Sequence, residues 1–280
     1  MRQSIFDKMN TSEINYSQEM LRVHRFFSEE KIIIVDRAEG FSYEYLPIEN
    51  YINEFLFFNW EHRGTFLSTH DLRAELHISK KEIVNNNIDI MLNYFEFVIN
   101  MTNLLRTVED LNFDEKYLVV MLENIITILD RLNFELVDIK GCSIIVEKSP
   151  STTAISEIHE DISDRVIEYK RFDLKGNLDK KREILQLLSN KFEGIKSNLK
   201  ENNYSYIINE ASGLLNNLNI RHNNYEGQNA NERVLNMDAE ELECWYDKTY
   251  DLILLSLMIN HYLSYKSHIK NLNKELKSGV

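Results

Sequence analysis

The stretch "CWYDKTYDLILLSLM", residues Cys244–Met258, decides the fold class of this chain. Its apolar side chains recur every three or four residues, which places them on one face of an α-helix. We therefore predict a helix over about 239–275 that begins at the capping pair Asp238 and Glu241. Its length also suits a helix that pairs across a homodimer. The predicted core face consists of Trp245, Tyr246, Tyr250, Ile253, Leu254, Leu257 and Met258.

Composition extends this expectation to the rest of the chain. The 280 residues include only 8 Gly and 2 Pro, and 43% of them are apolar. Helix breakers are therefore rare, and there is enough apolar material for sizeable cores. These proportions favour a mainly α protein and argue against a β-sandwich with many turns.

Upstream of the last helix, the pattern predicts three more helices, over about 155–174, 178–200 and 203–219. Gly176 marks the end of the first, and Asn177 is a cap for the second. Four helices with short connections predict a C-terminal bundle. The segment "SPSTTA" (149–154) predicts a domain boundary near 150, with an acidic helical domain over 1–150 and the bundle over 151–280.

In the first domain, helices are predicted over about 51–60, 69–77 and 80–106, and after Asp114. The second begins at Ser68 with Asp71, and the third at Ser79 with Glu82, because each pair has the spacing of a capping box. Apolar residues alternate on both sides of a Lys140–Gly141 turn, which predicts a β-hairpin over 134–147. A second hairpin is expected about Glu39–Gly40.

Charge restricts the partners. The net charge is −13, and residues 1–150 hold 15 basic against 25 acidic side chains. The surface as a whole is therefore unsuited to nonspecific binding of nucleic acid. Residues 165–200 are the exception, with 10 basic and 5 acidic side chains. They include Lys180, Lys181 and Arg182, which are candidate RNA contacts with Tyr169 or Phe172 available for stacking. The alternative is a solvated helix face held by ion pairs.

Several classes of site have no sequence signal. No apolar run reaches the roughly 18 residues of a membrane span, and the N-terminus lacks the apolar core of a signal peptide, so a cytoplasmic protein is expected. Cys142 and Cys244 lie far apart, and His62, His70 and His77 do not share a helix face, so no metal is expected. No phosphate-binding loop appears, and no cofactor is expected.

The stretch "LLNNLNIRHNNYEGQN", residues 214–229, carries the strongest functional signal. A helix end, the pair Arg221–His222 and a polar loop before the longest helix together resemble the HEPN superfamily. These are small α bundles of toxin–antitoxin and phage-defence systems, in which an Arg followed by Asn, Asp or His precedes a second His four to six residues later. Arg221–His222 matches the first half of that motif, but Glu226, Gly227 and Gln228 stand where the second His belongs.

Metal-independent RNA cleavage needs a base, an acid and a cation for the phosphorane charge. Arg221 is the candidate cation and His222 a candidate proton carrier, and a second group would have to come from Glu226, Tyr225 or a partner subunit. The side chains available to bind a base edge are Asn217, Asn223, Asn224 and Tyr225. With the second His missing, the resemblance implies an accessory or effector protein that binds RNA or a protein partner without nuclease activity.

Three alternatives stay open. Arg221 and His222 would also suit a helix C-terminus, with Asn223 as a left-handed cap. Residues 68–92 have the layout of a helix-turn-helix with Lys80 and Lys81 opening the second helix, which is the layout of a DNA-binding regulator. The acidic residues 1–130 also suit an interaction module for a basic partner surface.

Overall fold

The computed structural model describes residues 14–38, 42–109, 113–221 and 232–278. Within these ranges the chain forms eleven α-helices and two small two-stranded antiparallel sheets, which confirms the prediction of a mainly α protein. The chain divides into two compact units, Met1–Ile145 (unit 1) and Val146–Val280 (unit 2). No helix among the described residues combines the length and apolar character needed to cross a membrane.

Unit 1 is built around one apolar helix. That helix, α4 (Ile88–Leu105), has 11 buried residues among its 18, including Tyr94, Phe95 and Val98. A π-helical turn (Arg25–Glu30) follows α1, and another (Ile52–Leu56) follows α2, with 3₁₀ turns at Phe57–Asn59 and Glu61–Arg63. The elements of this unit are α1 Tyr16–His24, β1 Ile32–Ala38, β2 Ser42–Pro47, α2 Ile48–Tyr51, α3 Thr69–Glu75, α4 Ile88–Leu105, α5 Lys116–Arg131, β3 Phe134–Ile139 and β4 Cys142–Glu147.

Both predicted hairpins are confirmed. Strand β1 pairs antiparallel with β2, with Ile33 opposite Leu46, while the expected turn about Glu39–Gly40 lies outside the described residues. Between β3 and β4, Lys140 (φ 55°) and Gly141 (φ 81°) both have positive φ, which is what a two-residue primed turn requires. The side chain of Asn100 then ties α4 to β4, because it accepts from the Ser143 N–H at 2.9 Å and donates to the Ser143 carbonyl at 2.7 Å.

The helix predicted over 80–106 begins later, at Ile88, so its predicted start was wrong. Glu82 does accept a hydrogen bond from the Ser79 N–H at 2.8 Å, but the pair closes a turn. The guanidinium of buried Arg73 holds this turn, because it donates to the Ile78 carbonyl at 3.1 and 3.2 Å. The cap that starts α4 is Asn87, whose side chain accepts from the second and third N–H groups of the helix.

Unit 2 is a helical bundle in which α8 and α11 make the most extensive contact. Leu188 and Phe192 of α8 and Tyr246, Ile253 and Leu257 of α11 belong to its buried core. The side chain of Asn177 caps α8, and that of Asp238 accepts from the Glu241 N–H at 2.8 Å, as predicted. The helices of this unit are α6 Pro150–Ile158, α7 Ser163–Tyr169, α8 Leu178–Glu201, α9 Ser205–Asn217, α10 Glu232–Leu235 and α11 Ala239–Ser278.

The single helix predicted over 155–174 was wrong, because this part of the chain forms α6, α7 and a 3₁₀ turn at Phe172–Leu174. The segment "SPSTTA" starts α6. Ser149 accepts from the Thr152 N–H at 3.3 Å, and Pro150 occupies the first turn of the helix, where no N–H is needed. A proline after a serine therefore marks a helix start here as readily as a linker.

The last helix confirms the predicted core face with one exception. Tyr246, Tyr250, Ile253 and Leu254 are buried, but Met258 is 39% exposed. Met258 therefore does not belong to the core face of α11.

Candidate functional site

The described residues of unit 2 contain a cleft of about 340 Å³ with mostly charged walls. One wall is a face of α11, and the other is formed by the end of α7, the loop that follows it and the start of α8. The lining residues are Glu147, Tyr169, Lys170, Arg171, Lys175, Lys181, Glu240, Glu243, Cys244, Asp247, Lys248 and Asp251.

The spacing of the α11 residues explains why they share this wall. Glu240, Glu243, Asp247 and Asp251 follow one another at intervals of three or four residues, so their side chains project from one side of the helix. Tyr250 and Leu254 lie in the core, on another side of the same helix. The first part of α11 therefore contributes to the core and to the cleft at once.

A buried cation holds the two walls together. Lys181 of α8 has a side chain that is only 8% exposed, and its Nζ lies 2.8 Å from a carboxylate oxygen of Glu243 and 2.8 Å from one of Asp247. Glu243 also accepts a hydrogen bond from the Gly176 N–H at 2.8 Å. The loop before α8, α8 itself and α11 thus meet at the Glu243 carboxylate.

The pKa shifts of Lys181 and Glu243 both favour the charged form of the side chain. Burial acts to lower the pKa of Lys181, but the hydrogen bonds to Asp247 and Glu243 outweigh it, and the net shift is upward. Burial acts to raise the pKa of Glu243, but the hydrogen bonds from Lys181 and Gly176 shift it downward. At neutral pH both groups are therefore ionised, and the ammonium is not available as a nucleophile.

A pair of stacked tyrosines lies beside the ammonium. The rings of Tyr169 and Tyr250 are parallel, with centroids 4.1 Å apart, and the Lys181 Nζ lies 5.2 Å from the Tyr169 ring centroid. The Tyr169 hydroxyl donates to Asp247 at 3.0 Å, and the Tyr250 hydroxyl donates to the Val166 carbonyl at 2.8 Å. Burial raises the pKa of both phenols, so they act as hydrogen-bond donors and not as bases.

The rim of the cleft carries charges of both signs. Lys170, Lys175 and Lys248 have no carboxylate within ion-pair distance among the described residues, and the carboxylates of Glu147 and Glu240 are exposed. Lys170 and Lys248 instead lie over aromatic rings, 5.3 Å from the centroid of Tyr250 and 4.2 Å from that of Trp245. The cleft therefore offers ammonium and carboxylate groups to a ligand over a short distance.

This arrangement is suited to binding more than to proton transfer. No histidine among the described residues lines the cleft, its buried lysine is charged and its tyrosines are protonated. In the described part of the chain, no group of three or more His, Cys, Asp and Glu side chains is placed to hold a metal ion.

The structure puts Arg221 elsewhere, against α8. Its guanidinium forms an ion pair with Glu193 and donates to the Ser189 carbonyl at 3.3 Å, and the side chain is 17% exposed. Its backbone N–H bonds the Leu215 carbonyl at 3.1 Å. Burial acts to raise the pKa of Glu193, but the hydrogen bonds and positive charges of Lys196 and Arg221 outweigh burial, and the net shift is downward. Arg221 thus fastens the end of α9 to α8.

Most of the predicted motif cannot be placed. His222, Asn223, Asn224, Tyr225 and Glu226 lie outside the described residues. The described end of α9 has its own left-handed residue, Asn219 (φ 58°), which is four residues before the predicted cap. Asn217, the last residue of α9, is exposed.

The predicted basic RNA surface was wrong for three of its residues. Lys181 is buried in its ion pairs, and Tyr169 and Phe172 are 2% and 6% exposed, which leaves no ring face for stacking on a base. Lys180 is paired with Glu168 at 3.5 Å and Glu183 at 3.1 Å. Arg182 is half-buried, and its Nε has no hydrogen-bond partner among the described residues. Ion pairs at helical spacings, the alternative interpretation, occur here at Lys180–Glu183, whereas the pairs of Lys181 are with α11.

The predicted helix-turn-helix over 68–92 is also not formed. The connection between α3 and α4 runs from 76 to 87, and Lys80 and Lys81 lie in its turns. The Lys80 ammonium is 2.6 Å from Glu29. The two lysines therefore do not open a recognition helix.

Comparison of the chain with family models, with curated proteins and with solved structures finds no match in any of the three.

Proposed function

We propose that this chain is a non-enzymatic accessory or effector protein, of the defence or toxin–antitoxin kind that its HEPN-like motif implies, and that it binds a protein partner through the cleft of unit 2. The observation that carries the proposal is the set of charges at the rim, where Lys170, Lys175 and Lys248 lie among carboxylates. A protein segment with both signs of charge can pair with both sets.

The same charges weigh against RNA as the ligand of the cleft. RNA carries a negative charge at every phosphate, and five carboxylates line the cleft. The engagement of Arg221 with Glu193 and Ser189 supports a role without catalysis, because this guanidinium is already satisfied within its own bundle.

Photo-crosslinking from the cleft tests the proposal. Cys244 is exposed at the cleft, and the only other cysteine of the chain is Cys142. A Cys142→Ser variant labelled at Cys244 with a benzophenone maleimide is irradiated in a lysate of the native host. We expect one protein adduct that resists ribonuclease, and the identified protein is then purified and titrated against the unlabelled chain.

Two controls give the result its meaning. A Lys200→Cys variant in a background without other cysteines carries the label on exposed α8 surface, and it should not form the adduct. Lys170→Glu with Lys175→Glu should weaken the purified partner's binding at least tenfold, whereas the same charge change at Lys200 and Lys274 should not. A ribonuclease-sensitive adduct, or binding that the cleft substitutions leave unchanged, would overturn the proposal.

A further inference from the structure

From Leu255 onward, α11 carries an exposed apolar stripe that the bundle does not use. Seven large apolar residues along it are 37–71% exposed. They follow one another at alternating intervals of three and four residues, without a break, over 22 residues. We call this stripe the seam, and its residues are Leu255, Met258, Tyr262, Tyr265, Ile269, Leu272 and Leu276.

The seam lies on the far side of the helix from the core. Tyr250, Ile253 and Leu257 are fully buried on the inner side. At about 100° per residue, the middle of the seam is roughly 115–135° around the helix from the middle of the buried face. From residue 267 to 278 every side chain is exposed, so about 18 Å of helix runs on without support from its own bundle.

Alternating intervals of three and four give a mean period of 3.5 residues, which is the period of a two-stranded coiled coil. The positions that flank the seam are mostly polar and include His261, Lys266, His268 and Asn273. Only about two of every seven residues therefore contribute to this apolar surface, which makes it narrow. A helix that lies in a membrane surface has a wider apolar face than this.

The charges near the seam fit a second copy of the same chain. Lys270, Lys274 and Lys277 project away from the seam, and Lys266 donates to Asn202 of its own unit at 3.4 Å. No like charges therefore face each other when two copies pair. A different, acidic partner would need unpaired cations beside the seam, and Lys266 at its edge already donates to Asn202.

The seam also has the size and the residue order for such a pair. At roughly 150–250 Å² for a large apolar side chain, its exposed fractions amount to about 600 Å² per copy. A pair then buries about 1,200 Å², the lower end of the range for a stable interface. Ile269 and Leu272 occupy the two core positions of their heptad in the order that favours two strands.

The number of positions at which apolar seam residues of the two copies meet indicates whether the helices pair parallel or antiparallel. We call each such position a layer. A parallel pair in register matches each seam residue with itself, which keeps all seven layers apolar. The best antiparallel pairing places Met258 against Leu276, Tyr262 against Leu272 and Tyr265 against Ile269, which keeps six apolar layers and leaves Leu255 without an apolar partner. We infer that the chain forms a homodimer through a parallel, two-stranded coiled coil along the seam.

Sedimentation of the full chain tests this inference. We expect the wild-type protein at micromolar concentration to sediment with twice its 33.3 kDa chain mass. Ile269→Glu with Leu272→Glu places four carboxylates in the dimer core and should raise the dissociation constant at least tenfold. Ser267→Glu with Asn271→Glu adds the same charge on the same turns but away from the seam, and this variant should remain dimeric.

Each other outcome counts against the inference. A monomeric wild-type chain, or a dimer that the seam substitutions leave intact, would overturn it. Binding of the wild-type monomer to vesicles of anionic phospholipid, lost in the seam variant, would assign the seam to a membrane surface instead. In a background without Cys142 and Cys244, Leu276→Cys should form an intermolecular disulfide on oxidation, and failure to do so would exclude the parallel orientation.

Discussion

Lys181 joins the two walls of the cleft, and its removal should have a measurable cost. Removing one partner of a fully buried ion pair costs roughly 3–5 kcal/mol, but Asp247 is 40% exposed and water replaces part of its interaction. We therefore expect Lys181→Ala to lower the free energy of unfolding by about 2–3 kcal/mol, as measured by urea denaturation at pH 7. Part of the loss is the uncompensated charge of Glu243, which is 16% exposed.

The neighbouring residue provides the control. Lys180 makes two ion pairs on the outer surface of the same helix, and exposed pairs of this kind contribute about 0–1 kcal/mol. Lys180→Ala should therefore change the free energy of unfolding by less than about 0.5 kcal/mol. Equal losses in the two variants would contradict the account of the cluster.

At the scale of single residues, the sequence singled out Lys181 and Arg221 but did not predict which residues they contact. Lys181 was expected at a surface because lysine is seldom buried. No pattern in residues 178–185 indicates that carboxylates of α11 surround it. Arg221 was expected to end its own helix or face a ligand, but its partners Glu193 and Ser189 belong to another helix. Both roles depend on contacts distant in sequence, which a local pattern does not encode.

The element whose start differed most from prediction offers a direct test. The side chain of Asn87 accepts hydrogen bonds from the N–H groups of Asp89 at 2.7 Å and Ile90 at 3.2 Å, so it caps α4. Asn87→Ala should lower the free energy of unfolding by about 1 kcal/mol, whereas Asn85→Ala, an exposed change two residues earlier, should be nearly neutral. A larger loss at Asn85 would indicate that the helix begins nearer residue 80.

Helices and hairpins were predictable where one local signal decides them. The caps at Ser68, Asn177 and Asp238 and the Lys140–Gly141 turn are all confirmed, because each depends on a few adjacent residues. The start of α4 was not, since Ser79 and Glu82 satisfy the capping pattern equally well in a turn that Arg73 holds from outside. The hydrogen bond from the Ser79 N–H to Glu82 is compatible with a turn as well as with a helix start, so the pattern alone does not distinguish the two structures.

For the whole molecule, composition was sufficient for the fold class but not for the cleft. The scarcity of Gly and Pro together with ample apolar residues predicts a mainly α protein, which the structure confirms. The cleft combines residues near 147, 169–175, 181 and 240–251, which are distant in sequence, and no one of these segments alone indicates a cleft. An excess of charge on one face of a helix whose other faces are apolar was the available signal.

Acid should lower the stability of each unit through that unit's own carboxylates, so a single substitution should change the pH dependence of one unit only. The pKa of Glu243 is lowered in the folded state, so its stabilising effect is present above its unfolded value of 4.5 and is lost as the pH falls through the folded value. Glu82 in unit 1 is shifted in the same direction by its bonds with Ser79. Trp60→Phe leaves one tryptophan in unit 2, and Trp245→Phe leaves one in unit 1. Urea midpoints from both should fall between pH 6 and pH 3.5, and Glu243→Gln should reduce the fall only in the chain that keeps Trp245. An equal effect on both signals would mean that the two units unfold as one.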